Sequence, residues 1–214
     1  MGGFSSGTLA IGQATTGLDD PAGTQGGAVV PGPIGLDAPI PMDTQRIIAK
    51  VVKDWDPPQP RTTPEIVVGG KTLEDAGREL DKLDEWGQGG GMLRTDSIPA
   101  GTSTNLTVNA QANLVHRLPR WTGYGAASTA AKAEWDRMVA KLKVHEDRHM
   151  QIAIEEADRL AADLVGVEIG KIARMVTEAN RRMAKRQQEL DKDTQNGSKP
   201  GVTFGDVTLD ISIK

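Results

Sequence analysis

His145-Glu146-Asp147-Arg148-His149 places two imidazoles four residues apart with a carboxylate between them. On a helix this spacing puts both rings on one face, one turn apart, where they can share a single cation. Neutral imidazoles suit zinc, whose tetrahedral sites take nitrogen at about 2.0–2.1 Å. Glu146 would stand beside the cation without ligating it, placed to take a proton from water that zinc has acidified to a pKa of about 7. The pattern therefore predicts zinc-assisted hydrolysis of a peptide bond in a protein or peptide substrate. His145 and His149 are its ligands and Glu146 its general base. The chain holds 3 histidines, and two of them fall here.

A third ligand is needed, and the spacing leaves it open. The H-E-x-x-H-x-x-G-x-x-H continuation is missing, because Ile152 and Glu155 stand where its Gly and His would be. His116 is the remaining histidine, on the inward face of an expected strand, and is the candidate carried forward. Glu168 lies at a distance that other zinc hydrolases use, but the turn at Gly166 leaves its direction unset. Asp191 would reach the site if a second helix folded back. Elsewhere, Gly70-Lys71-Thr72 resembles the end of a phosphate-binding loop, yet Glu65 stands where that motif requires Gly. Arg181, Arg182, Lys185 and Arg186 are expected to form a solvated basic face.

The elements that must position these groups follow from periodicity. Residues 126–165 contain neither Gly nor Pro, and Ser128 or Thr129 can cap a helix there. Its apolar stripe runs through Trp135, Met138, Leu142, His145, His149, Ile152, Leu160 and Leu164, so the histidines face inward. A second helix carries Ile172, Val176, Ala179, Met183, Gln187 and Leu190 and ends at Asn196-Gly197. Upstream, Ile47, Ile48, Val51 and Val52 suggest a strand, and Ile66-Val67-Val68 another. Thr72 and Asp75 make a capping box for a helix with Leu73, Ala76, Leu80 and Leu83, closed by Gly87–Gly91. Residues 104–118 alternate as a half-buried strand stopped by Pro119, with Leu106, Val108, Ala110, Ala112, Leu114, His116 and Leu118 on one face. Val207, Leu209, Ile211 and Ile213 alternate as a terminal strand.

Trp135 precedes His145 by ten positions, a Leu118-Pro119 strand end precedes both, and Val67-Val68-Gly69-Gly70-Lys71-Thr72-Leu73 lies upstream. Over roughly residues 65–197 the chain resembles the bacterial family known as domain of unknown function 922, described as zinc-dependent proteases. The resemblance implies that His145 and His149 are metal ligands and Glu146 the base. Family members also carry an aromatic-Asp-x-x-Thr-x-His-Gly stretch. Here it reads Leu190-Asp191-Lys192-Asp193-Thr194-Gln195-Asn196-Gly197, with Leu for the aromatic and Asn196 for the His.

Composition sets the remaining bounds. The chain has 214 residues, no cysteine and no run approaching the roughly 18 apolar residues of a membrane span. A net charge of −4 argues against a nucleic-acid partner. All of it comes from Asp19, Asp20, Asp37 and Asp43 in a stretch without Lys or Arg. Residues 1–43 are thus expected to be an acidic Gly/Pro-rich arm that orders only against its own body or an assembly partner, bound through residues 1–41. Residues 44–214 are expected to form a zincin-like α+β domain. A small, mostly antiparallel sheet would accompany a long H-E-x-x-H helix and a second long helix. No secretory signal is evident, so the expected location is cytoplasmic or reached through a particle or injection route. The competing function is a non-catalytic structural or cargo component of a phage or secretion particle carrying a vestigial metallopeptidase domain.

Overall fold

The computed structural model describes residues 51–55, 65–96 and 108–214. The N-terminal arm, Ile47 and Ile48, and the first residues of the 104–118 strand, Leu106 among them, lie outside the described residues. In chain order the elements are β1 (Val51–Asp54), β2 (Ile66–Val68), α1 (Leu73–Leu80), β3 (Gln88–Thr95), β4 (Val108–Arg117), β5 (Pro119–Trp121), α2 (Thr129–Asp163) and α3 (Ile169–Thr194). Three strands form a mixed sheet in the order β1-β4-β3, and β2 pairs with β5 in a second, two-stranded one. The longest pairing, β3 with β4 from Gln88↔Arg117 to Thr95↔Ala110, is antiparallel. The two short ones, β1 with β4 and β2 with β5, are parallel, so the expected mostly antiparallel sheet is mixed.

Local chemistry explains most boundaries. At α1 the Thr72 side chain accepts from the Asp75 N–H while Asp75 reaches back to the Thr72 N–H, the reciprocal box its sequence predicts. Ser128 caps α2 through the Ala131 N–H. Gly166, at φ 75°, supplies the left-handed turn between α2 and α3. β4 keeps its alternation, with Val108, Ala110, Ala112 and Leu114 buried on one face.

Three expectations are corrected. Gly87–Gly91 does not close a helix; α1 stops at Leu80 and Gly89–Gly91 lie inside β3. The glycines serve close approach, since a Cβ on Gly89 would lie 2.2 Å from the Glu146 carbonyl oxygen. Pro119 does not end the extended chain, because β5 begins at Pro119 and pairs with β2. Pro119 diverts the strand from one sheet to the other, and Leu118 offers its carbonyl to the Ile66 N–H at 3.1 Å. Residues 207–213 form no strand: their polar groups bind helix side chains instead, as when the Asp210 N–H donates to Glu134 at 2.7 Å.

Two apolar clusters share α2. Its first half, with Trp135, Met138 and Leu142, packs with Val68, Leu73, Leu80, Trp121 and Val207. Its second half, with Ile152, Ala157 and Leu160, packs with Leu93, Val108, Leu114, Ile172 and Met183. His145–His149 lies at the junction. Trp135 is a packing residue whose ring centroid sits 5.5 Å from that of Trp121. Among the described residues no helix is long and apolar enough to cross a membrane.

Candidate metal centre

The apolar stripe predicts His145 and His149 on the buried side of α2; the structure buries both of them and Glu146 as well, and the fold brings α3 across them. His145 is 4%, Glu146 6% and His149 7% exposed. The Nε2 atoms of the two histidines are 3.1 Å apart. Oδ1 of Asp191, on the last turn of α3, lies 2.9 Å from His149 Nε2 and 3.4 Å from His145 Nε2. Ligand atoms on a tetrahedron of 2.0–2.1 Å radius are separated by roughly 3.3 Å. The three spacings, and the N,N,O donor set, therefore fit one small divalent cation; among the described residues this is the group of three or more such side chains able to hold one.

Asp191 stands where a third ligand could be, the position that the sequence left open. His116 is not part of the group: its Nε2 lies 3.3 Å from Asp147 Oδ1, next to the motif but apart from Asp191. Burial there holds its imidazole below the usual value, against the opposing pull of Asp147. Glu168 stands at the N-cap of α3 and pairs with Lys171 at 2.8 Å. α3 reaches the site because Glu156, 3% exposed, binds Arg182 at 3.1 Å and Arg186 at 3.0 Å. Two of the four basic residues expected on a solvated face thus clamp the helices together.

Burial alone would raise the Asp191 carboxyl, but its contacts with the imidazoles of His145 and His149 outweigh it and hold the group at about 2. Burial pushes His145 down; Asp191, Glu146 and the Phe204 carbonyl together bring it above its ordinary value. For Glu146 burial dominates, the two histidines only partly offset it, and the carboxyl rises to about 7. Glu85, in the turn after α1, is also held above the usual carboxylate range, by burial and then by the charge of Asp191.

Sequence reasoning missed three contributors. Gly87 abuts the Glu146 carboxylate so closely that a Cβ would fall 2.7 Å from Oε1. Glu85 adds its field to the same carboxylate. The Phe204 carbonyl lies 3.0 Å from His145 Nδ1. The glycine run was a visible signal of close backbone approach; the other two had none.

The family model described as a bacterial protein of unknown function, DUF922, matches residues 67–198. These include the histidine pair, Glu146 and Asp191. No curated protein matches the chain, and no solved structure does.

Proposed function

We propose that this chain, which belongs to the bacterial DUF922 family, is a zinc-dependent metallopeptidase of zincin-like design. The observation that carries the reading is the convergence of His145, His149 and Asp191 from two helices onto one point, with Glu146 buried beside it. Zinc held by these three side chains would supply Lewis acidity, polarising a peptide carbonyl and lowering the pKa of water.

The chain's own residues then have distinct tasks. His145 and His149 would hold the cation from one face of α2, and Asp191 would add negative charge from α3. Glu146 accepts the proton of the attacking water at its carboxylate and returns it to the leaving amine. Burial holds the metal-free carboxyl at about 7; a cation beside it would lower that value and favour the ionised form that accepts the proton. Gly87, just before β3, lies against the Glu146 carboxylate and Gly89 of β3 against the Glu146 backbone, so this side of the group is covered.

A second reading is a non-catalytic member that keeps the metal as a structural tie. Asn196 in place of the family's histidine, and the cover that β3 gives Glu146, favour it. Tag-free protein, its zinc content and its cleavage of an unfolded casein mixture separate the two. The peptidase reading expects about one zinc and cleavage that Glu146→Gln removes. A wild type that takes up no zinc overturns both readings. Zinc with cleavage undiminished in Glu146→Gln overturns the assigned mechanism.

A further inference from the structure

Past the end of α3 the chain turns back onto the candidate metal centre, in a loop that begins inside the family match and runs beyond its end at residue 198. Gln195, Asn196 and Gly197 are consecutive left-handed residues, at φ 51°, 53° and 81°. The loop they open closes on itself: the Val207 N–H donates to Gly197 at 2.9 Å, and that of Asp206 to Lys199 at 3.1 Å. Its base rests on the imidazole, since a Cβ on Gly197 would lie 3.3 Å from His145 Cγ and Nδ1. Its tip is held from the same helix by Arg148, whose guanidinium stands 5.9 Å from the centre of the Phe204 ring.

Phe204 itself has φ 64°, a left-handed conformation that costs a residue with a side chain about 1–2 kcal/mol. Such strain persists only where surrounding contacts impose it. The conformation presents the Phe204 carbonyl to His145 Nδ1 at 3.0 Å. A carbonyl can only accept, so Nδ1 must carry the proton. In the neutral ring the lone pair is then on Nε2, the atom that faces His149 and Asp191.

We propose that the main-chain carbonyl of Phe204 is a positioning group for the His145–His149–Asp191 centre, fixing His145 in the tautomer that turns its Nε2 lone pair toward the cation. The inference rests on the reading of this group as a metal centre. It adds that the loop 197–207 is part of the centre's affinity although none of its side chains ligates.

Two measurements test it on the full-length chain. The first is the tautomer of His145 in metal-free protein at about pH 8.5, above the ordinary imidazole range, by long-range 1H–15N correlation. The Nδ1–H form is expected; the Nε2–H form overturns the proposal. The second is zinc affinity by competition with a chromophoric chelator, in two variants. Phe204→Gly permits the left-handed backbone but loses the ring that Arg148 holds, so its affinity should fall by less than that of the proline variant. Phe204→Pro forces φ to about −65° and swings the carbonyl away, and its zinc affinity should fall on the order of 10–100-fold. Unchanged affinity in folded Phe204→Pro, or an equal fall in both variants, overturns the proposal. Should Phe204→Pro not fold, the wild-type tautomer decides. A wild type without zinc uptake, but with the Nδ1–H tautomer, instead overturns the metal centre and leaves the hydrogen bond standing.

Discussion

Oδ1 of Asp191 lies 2.9 Å from Nε2 of His149, although 42 residues of chain separate them. If the proposed metal centre is right, Asp191 is the side chain whose removal should matter most after the histidines. Asp191→Ala is expected to keep its helices and to lower zinc affinity by about 100-fold or more, beyond the effect of altering an outer contact. His149→Ala should abolish stoichiometric zinc. If Asp191→Ala binds as wild type does while His116→Ala does not, the third ligand is His116.

Glu146→Gln preserves size and replaces only the titrating group. It should retain zinc and the fold and lose peptide hydrolysis. Loss of zinc in this variant, measured by metal analysis, would make Glu146 a ligand and not a base.

Stability of the metal-free protein should depend on pH with a definite sign. Glu146 titrates near 7 in the fold and near 4.5 unfolded. Between those values the folded state binds more protons, so stability falls as pH rises from about 5 to about 7. The raised His145 acts in the same direction, its contribution present below about 6.5 and lost as pH climbs through the folded value. The Glu146 contribution is on the order of 3 kcal/mol, and Glu146→Gln should flatten that part of the profile. Asp191 makes a separate acid limb, losing its contribution as pH falls from about 4 toward 2. Urea midpoints across this range check all three.

Much of the centre was legible because helical periodicity is a local property. The stripe from Trp135 through His149 predicts the face of α2 that is buried, and both caps stand where the sequence put them. Asp191 could not be singled out, since nothing local says how far α3 folds back along α2. The Gly89–Gly91 stretch misled for a related reason: glycine marks either a break or a close approach, and only tertiary packing decides. Residues 207–213 alternate like a strand but find no partner strand among the described residues, so they run along the helices and bind side chains.

That close approach can be tested. A Cβ on Gly89 would meet the Glu146 carbonyl at 2.2 Å, whereas one on Gly125 meets nothing within 4 Å. Gly89→Ala must push β3 off α2 and should destabilise by about 1–3 kcal/mol. Gly125→Ala is the control, expected within about 0.5 kcal/mol of wild type. Thermal unfolding of the pair compares them directly.

Glu156 is buried and serves both Arg182 and Arg186. Glu156→Ala leaves two guanidiniums facing a vacated pocket and should cost about 3 kcal/mol, nearer the low end for a broken buried pair because both arginines reach solvent. Because the clamp also registers α3, zinc affinity should drop in the same variant. A stability loss with unchanged affinity would show that other contacts set the position of Asp191.

α2 and α3 are one continuous hairpin, joined through the turn at Gly166 and otherwise held only by reversible contacts. A cation shared by His149 and Asp191 would close a loop of 42 residues. By the chain-entropy relation for cross-links, a loop of that length restricts the unfolded chain by about 4 kcal/mol. The sequence has no cysteine with which to make such a bond. The chain would then carry a staple that no reductant can cut and any strong chelator can, and its half-life would follow the supply of free metal.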